Sequence, residues 1–252
     1  MKTNSFIGLA ALAAILSISN GKSVMAVGPS NSASDTASTA TITGKVKLEG
    51  TAPKASSINM AADPACAKQH QTGVSTQDVL VGQAGTLQNV VVFVVDGLGD
   101  RKFDPPSQPA RLEQKGCMYQ PHVLALEANQ PLEVVNEDST GHNVHALATN
   151  NREWNKAEPP GTQVDDAFPR EEIAVLMKCN VHPWMRSYVA VFKHPFFAVT
   201  REDGTFDLSS LPPGTYTIEA WHEKLGTATQ KVTVGANETK AIEFVFKSKP
   251  GA

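Results

Sequence analysis

Short apolar runs rich in β-branched residues, broken by turn residues, recur along most of the chain. Runs of about four to eight such residues, bounded by Gly, Pro, Asn or Asp, are typical of strands. No longer window keeps a helical period with caps at both ends. The pattern therefore predicts an all-β fold of sandwiches with Greek-key connections. The predicted strands cover residues 41–48, 89–95, 123–126, 132–135, 173–177, 188–192, 206–208, 216–220 and 241–246.

Two segments interrupt this pattern. Residues 100–109 are rich in Pro and charge, and residues 149–169 contain Asn-Asn, Pro-Pro-Gly and Asp-Asp. Compositions of this kind favour turns over strands. Both segments are predicted to be long loops, and long loops in a compact domain usually serve function or packing.

The start of the chain follows a different pattern. Lys2 precedes an apolar run over residues 6–18, and Val-Met-Ala at 24–26 resembles a cleavage site, which predicts a signal peptide over 1–26. The run is shorter than the ~20 residues that span a bilayer as a helix, so no integral membrane segment is expected after cleavage. Residues 27–40 are mostly small and polar and predict a flexible linker. We expect a periplasmic or secreted protein.

The composition narrows the function classes. The chain has 252 residues, a formal net charge of −3 and three cysteines. It has no basic cluster with interleaved aromatics, which argues against a nucleic-acid partner. Cys66 and Cys117 could form a disulfide and leave Cys179 free, or all three could be buried thiols. The sequence does not decide between these alternatives.

Potential metal ligands are most closely spaced at residues 179–185, Cys-Asn-Val-His-Pro-Trp-Met, between two predicted strands. A single turn there carries a thiol at Cys179, an imidazole at His182 and a thioether at Met185. Electron-transfer copper sites use two His, one Cys and a weak axial Met, because sulfur suits Cu(I) and imidazole suits both oxidation states. One mononuclear copper ion is the cofactor that this set predicts. From its place on the turn, His182 is expected to lie nearest to solvent and to be the exit for the electron.

The remaining ligand must come from another segment. His142 follows the predicted strand 132–135, so it too lies at a strand end. His142 and His145 are three residues apart and would point to opposite faces of an extended segment, so both cannot bind one ion. His142 is the better candidate, because Asn143 could hydrogen-bond to the loop of Cys179 and lock the two ligand segments together.

Rival interpretations remain open. Cys and His also suit zinc, although a thioether adds little to a zinc site.

The sequence has no nucleophile–base set at a recognisable spacing, no Gly-rich phosphate loop and no zinc-protease motif, so we do not expect an enzyme.

Residues 179–186, Cys-x-x-His-Pro-Trp-Met-Arg, resemble the ligand loop of the amicyanin-type cupredoxins, and His-Asn-Val-His at 142–145 resembles their upstream histidine segment. The similarity extends over residues 118–192. It implies a cupredoxin-like Greek-key sandwich in which His142, Cys179, His182 and Met185 bind copper. One departure is Met177, where cupredoxins often have an aromatic residue.

A second resemblance lies further along the chain. Asp-Gly-Thr-Phe at 203–206 and Leu-Pro-Pro-Gly-Thr-Tyr at 211–216 are similar to the turns of carboxypeptidase-regulatory-like, transthyretin-like sandwiches. The resulting division is a cupredoxin-like domain with an N-terminal β extension at 41–195, and a smaller carboxypeptidase-regulatory-like β domain at 196–252. In an alternative arrangement, residues 43–46 belong to the second kind of sheet, and the cupredoxin-like region is inserted between its halves.

These observations favour an exported blue copper protein that carries single electrons between redox partner proteins. Two alternatives remain at this point. One is a metal-free cell-envelope β-sandwich module that binds protein or glycan, and the other is a copper storage or delivery protein with the same ligands.

Overall fold

The computed structural model describes residues 38–248. The predicted signal peptide and nearly all of the predicted linker lie outside the described residues. No helix within 38–248 is long and apolar enough to cross a membrane. The predicted all-β fold class is confirmed. In chain order, the elements of this part are β1 (Ala40–Glu49), α1 (Pro64–Gln69), a 3-10 turn (Gln83–Gly85), β2 (Val91–Asp96), β3 (Ala110–Lys115), β4 (Met118–Gln120), β5 (Val123–Glu127), β6 (Leu132–Asn136), β7 (His142–Leu147), β8 (Trp154–Glu158), β9 (Gln163–Asp166), β10 (Glu172–Lys178), β11 (Arg186–Phe192), β12 (Phe197–Val199), β13 (Thr205–Leu211), β14 (Gly214–His222), β15 (Gly226–Val234) and β16 (Thr239–Lys247).

One pair of sheets carries the candidate ligands. Its strand orders are β5-β11-β10-β7-β8 and β4-β3-β6-β9. Inward-facing residues of both sheets, such as Leu112, Val134, Val144 and Val189, share one hydrophobic core. Parallel pairing of β3 with β6 and of β5 with β11 joins strands that are not neighbours in the chain.

The second pair of sheets is built from both ends of the described chain. Its strand orders are β13-β1-β16 and β12-β2-β14-β15. These strands share a separate core that includes Ile42, Phe206 and Phe244. Strands β1 and β2 thus lie in the same sheets as the strands of residues 197–247. Residues 43–46, which prompted the alternative arrangement, belong to β1 of this pair of sheets.

Strand β2 explains how the two sandwiches meet. Its sequence, Val-Val-Phe-Val-Val-Asp, is apolar on both faces. Val92 and Val94 face the core of the second sandwich, whereas Val91 and Phe93 contact Phe192 of β11 and its neighbours. Because successive residues of a strand point to opposite faces, one continuous apolar run serves two cores.

One sequence prediction is corrected here, and one element was not predicted. The segment 149–169 is not one loop, since it contains the strands β8 and β9. A short helix, α1, was also not predicted. It begins after Asp63, whose side chain accepts hydrogen bonds from the backbone of Ala65 and Cys66, and Pro64 occupies its first turn. An Asp N-cap followed by Pro is a recognised helix start, so the signal was present but short.

Candidate metal centre

The loop between β10 and β11 is held closed by its own backbone. Lys178 and Arg186 pair as the last and first residues of the two antiparallel strands. Between them, the amide of Cys179 donates to the carbonyl of Met185 at 3.2 Å, and the amide of Met185 donates to the carbonyl of His182 at 2.9 Å. The predicted ligands of this segment thus lie on one tight turn whose ends are fixed by the sheet.

His142 reaches this turn from the neighbouring strand. It is the first residue of β7, which pairs with β10. Oδ1 of Asn143 accepts a hydrogen bond from the amide of Asn180 at 2.7 Å. The predicted link between the two ligand segments is therefore confirmed. His145 lies outside the cluster of candidate ligands: its Nε2 is 2.7 Å from Glu153 Oε1 and its Nδ1 is 3.3 Å from Asn180 Oδ1.

Three of the predicted ligands converge inside the sandwich. One donor atom each from His142, Cys179 and His182 lies within 4.8 Å of the others, and all three residues are buried. The two Nδ1 atoms of His142 and His182 are 2.9 Å apart, and Sγ of Cys179 lies 3.8 Å from Nδ1 of His182. Met185 is fully buried and packs in the same core as Cys179.

The outer nitrogen of each imidazole faces a carboxylate. Nε2 of His142 lies 2.9 Å from Oδ2 of Asp138, and Nε2 of His182 lies 2.9 Å from Oδ2 of Asp63. Because an ionised carboxylate can only accept, a neutral imidazole in either place carries its proton on Nε2. In its neutral form, each ring has its unprotonated Nδ1 on the side of the other ring and of Cys179.

Both carboxyl groups are held in the ionised state. The hydrogen bond from His182 lowers the pKa of Asp63 to about 2, against the opposing effect of burial. For Asp138, burial opposes ionisation, but hydrogen bonds from His142 and from the amide of Cys117 lower its pKa. Two fixed negative charges therefore flank the pair of imidazoles on the side away from Cys179.

The thiol is also activated. Burial disfavours the thiolate, yet hydrogen bonds from His142 and from nearby backbone lower the pKa of Cys179 to about 6. Burial likewise disfavours the charged form of His142, but Asp138 and Cys179 raise its pKa to about 9. In the metal-free protein, a thiolate thus faces an imidazolium. A cation that replaces this proton would meet two imidazole nitrogens and a thiolate, a donor set that fits copper.

The structure corrects the expectation that His182 lies nearest to solvent. His182 is only 2% exposed. Asp63 covers its outer edge, and α1 follows directly behind Asp63. Cys66 on α1 forms a disulfide with Cys117, which settles the alternatives left open for the three cysteines and leaves Cys179 as the free thiol.

The other histidines serve the fold. His70 bonds the carbonyl of Gly116, His194 bonds the carbonyl of Val94, and His222 accepts a hydrogen bond from the amide of Lys224. The sequence did not reveal that His122 pairs with the buried Glu223, because these residues are far apart in the chain. The pair joins the residue before β5 to the turn after β14.

Glu158 is a buried acid beside this site. It lies on β8 directly across from His142, and neither carboxylate oxygen has a hydrogen-bond partner among the described residues. Burial raises the pKa of Glu158 to about 7, although the charge of His142 opposes the shift. The carboxyl group is therefore partly protonated at neutral pH.

Glu158→Gln is expected to flatten the pH dependence of stability. The folded-state pKa of Glu158 lies above its ordinary value of 4.5, so the wild type loses stability as pH rises from about 4.5 through 7. Between pH 5 and 8, the free energy of unfolding should fall by on the order of 2–3 kcal/mol more in the wild type than in Glu158→Gln. Urea unfolding of the metal-free proteins measures this difference. Exposed Glu202→Gln is the control, and equal slopes for Glu158→Gln and wild type would contradict the assignment.

The comparisons with known proteins each match only a part of the chain. A carboxypeptidase regulatory-like domain model matches residues 188–247, which run from β11 to the end of β16. No curated protein matches the sequence.

Among solved structures, a novel purple cupredoxin from Nitrosopumilus maritimus is 21% identical, with a TM-score of 0.29, and the match covers 32% of this chain and 98% of that one. A copper-containing nitrite reductase from Thermus scotoductus SA-01 is 19% identical, with a TM-score of 0.33, over 40% of this chain and 25% of that one. An oxidised proline-to-glycine mutant of amicyanin is 13% identical, with a TM-score of 0.30, over 46% of this chain and 93% of that one. The chain thus contains a stretch similar to carboxypeptidase regulatory-like domains and has partial structural neighbours among the cupredoxins.

Proposed function

We propose that the protein is an exported type 1 (blue) copper protein that carries single electrons between redox partner proteins. Its ligands are His142, Cys179, His182 and Met185. The observation that carries this proposal is the convergence of two Nδ1 atoms and one thiolate sulfur in a buried space. Both Nε2 atoms are committed to carboxylates, so the two Nδ1 atoms are left to face each other and the sulfur of Cys179, which also accepts a hydrogen bond from the amide of His182.

The chain's own residues keep this donor set fixed. The turn from Cys179 to Met185 is closed by backbone hydrogen bonds, and Asn143 ties it to the start of β7. The surrounding core excludes water, since Cys179, His182 and Met185 are each at most 2% exposed. Copper, when bound, supplies a one-electron change between Cu(I) and Cu(II). Rigid ligands reduce the rearrangement that accompanies such a change.

Burial also favours an electron carrier over a storage or delivery protein. A delivery protein must release its metal to a partner, which calls for ligands that can be reached or moved. Here His142 and His182 are each anchored on their outer side by a carboxylate, and both are buried. We therefore propose no catalytic role and no metal transfer.

An optical and electron-paramagnetic-resonance spectrum of the copper-loaded mature protein tests the proposal. We expect one copper per chain and an intense visible band from thiolate-to-copper charge transfer. Cys179→Ser should lose this band entirely, because the serine oxygen cannot replace the thiolate sulfur. His145→Ala is the matched control, since this nearby histidine lies outside the cluster, and it should keep the band. A wild-type protein that takes up no copper, or a Cys179→Ser variant that keeps its colour, would sink the proposal.

A further inference from the structure

Asp63 joins a helix cap to the candidate metal centre. Its Oδ1 accepts hydrogen bonds from the amides of Ala65 at 2.8 Å and Cys66 at 3.2 Å. Its Oδ2 accepts from the hydroxyl of Thr140 at 3.0 Å and lies 2.9 Å from Nε2 of His182. Four donors therefore converge on one carboxylate, which leaves it saturated as an acceptor.

Asp138 repeats the arrangement on the other imidazole. It accepts from the amides of Gly116 and Cys117, from the side chain of Gln69 and from Nε2 of His142. Each aspartate thus binds one candidate ligand and the amide of one half of the disulfide. The disulfide consequently ties together the two carboxylates that orient the two rings.

We propose that Asp63 is a positioning residue that fixes His182 with Nδ1 turned inwards and, together with α1, closes the outer edge of its ring. This inference rests on the proposed function for its metal-dependent readouts, but the orientation of the ring is a property of the metal-free chain. Residues 63–70 then cover the imidazole of His182, and the disulfide holds them to the sandwich. Without this cover, the outer edge of the imidazole would be exposed to solvent.

The chemistry follows from the hydrogen bond. A carboxylate that accepts from the outer N–H of a metal-binding imidazole fixes its tautomer and orientation and raises the basicity of the inner nitrogen. Loss of such a partner typically costs roughly 10- to 100-fold in metal affinity. A more basic ligand stabilises the more highly charged Cu(II). Removing the carboxylate should therefore weaken Cu(II) binding and raise the reduction potential.

Asp63→Asn and Asp63→Ser are the informative variants. Both Asn and Ser are good N-cap residues, so α1 should be retained. Asn offers His182 an amide donor in place of one acceptor oxygen, and Ser is too short to reach the ring. Thr140→Val is the matched control, because it removes one hydrogen bond from the same carboxylate oxygen without touching His182.

The first measurement is nitrogen-15 NMR of the histidine side chains in the metal-free protein. We expect a slowly exchanging Nε2 proton on His182 in the wild type and in Thr140→Val, and rapid exchange in both Asp63 variants. The second measurement is Cu(II) affinity by competition with a chelator, which should fall roughly 10- to 100-fold in the Asp63 variants only.

The outcomes separate this inference from the proposed function. Unchanged proton exchange in both Asp63 variants would overturn the positioning role, whatever the copper result. Wild-type protein that shows the protected Nε2 proton but binds no copper would refute the proposed function and leave the positioning role supported. Copper binding of unchanged strength in both Asp63 variants would refute the claimed effect on the metal.

Discussion

Replacing both cysteines of the Cys66–Cys117 disulfide with alanine is expected to lower the free energy of unfolding by about 4 kcal/mol. The bond joins residues 51 positions apart, and closing a loop of this length removes much conformational entropy from the unfolded chain. It also anchors α1, whose other contacts with the sandwich include hydrogen bonds of Asp63, Gln69 and His70. Urea unfolding of the metal-free wild type and of Cys66→Ala/Cys117→Ala measures the difference.

A reducing agent provides the matched control for this experiment. It should destabilise the wild type by a similar amount and leave the double variant unchanged, because Cys179 is then the single remaining thiol. Equal unfolding midpoints for oxidised wild type and double variant would show that the disulfide contributes no stability.

Asp138→Ala is expected to cost about 3–5 kcal/mol, the range typical of breaking a buried, hydrogen-bonded charge pair. The side chain of Asp138 is 2% exposed and that of His142 is fully buried. Truncation leaves the amides of Gly116 and Cys117 and the imidazole without their acceptor. Unfolding in urea at neutral pH measures the loss, and copper titration of the same variant should show weakened binding.

The carboxylate of the preceding residue, Glu137, provides a control for the Asp138→Ala experiment. Glu137 is exposed and forms ion pairs with Arg111 and Lys115. Exposed pairs of this kind contribute little, because water and salt screen them. Glu137→Ala should therefore have a much smaller effect than Asp138→Ala. Similar losses from both variants would mean that burial of Asp138 does not govern its contribution.

The candidate ligand loop could be proposed from the sequence because its residues lie close together in the chain. Cys179, His182 and Met185 lie within seven residues, and the strands on either side have clear apolar patterns. His142 required only the further inference that strand ends meet, together with the hydrogen-bonding capacity of Asn143. The structure places the donor atoms of His142, Cys179 and His182 together.

The partners of these ligands could not be predicted in the same way. Asp63 and Asp138 lie far apart in the chain and reach the imidazoles only through the fold. The exposure of His182 was misjudged for this reason, since the sequence of its own loop says nothing about α1. A helix of six residues is too short to show a hydrophobic period, so only the Asp-Pro pair at its start marked it.

Strands β8 and β9 were missed because of their place in the sheets. Each lies at the end of its strand order. Edge strands are exposed along one side, and polar residues there discourage pairing with other chains. These polar residues also remove the alternation of apolar and polar positions from which a strand is predicted. For the apolar strand β2, the sequence pattern predicts the strand itself. It does not predict that the two faces of the strand pack into two different cores.

The parallel pairing of β1 with β16 determines when folding of their sheet can be completed. Thr41 pairs with Thr239, and Glu49 pairs with Lys247. β1 is synthesised well before both of its partners, β13 and β16, and its two edges stay unpaired until these strands arrive. Contacts between such distant segments form slowly, and an open edge invites pairing with other molecules in the meantime. Export in an extended state would spare β1 this wait, because both partners would then reach the same compartment before the sheet closes.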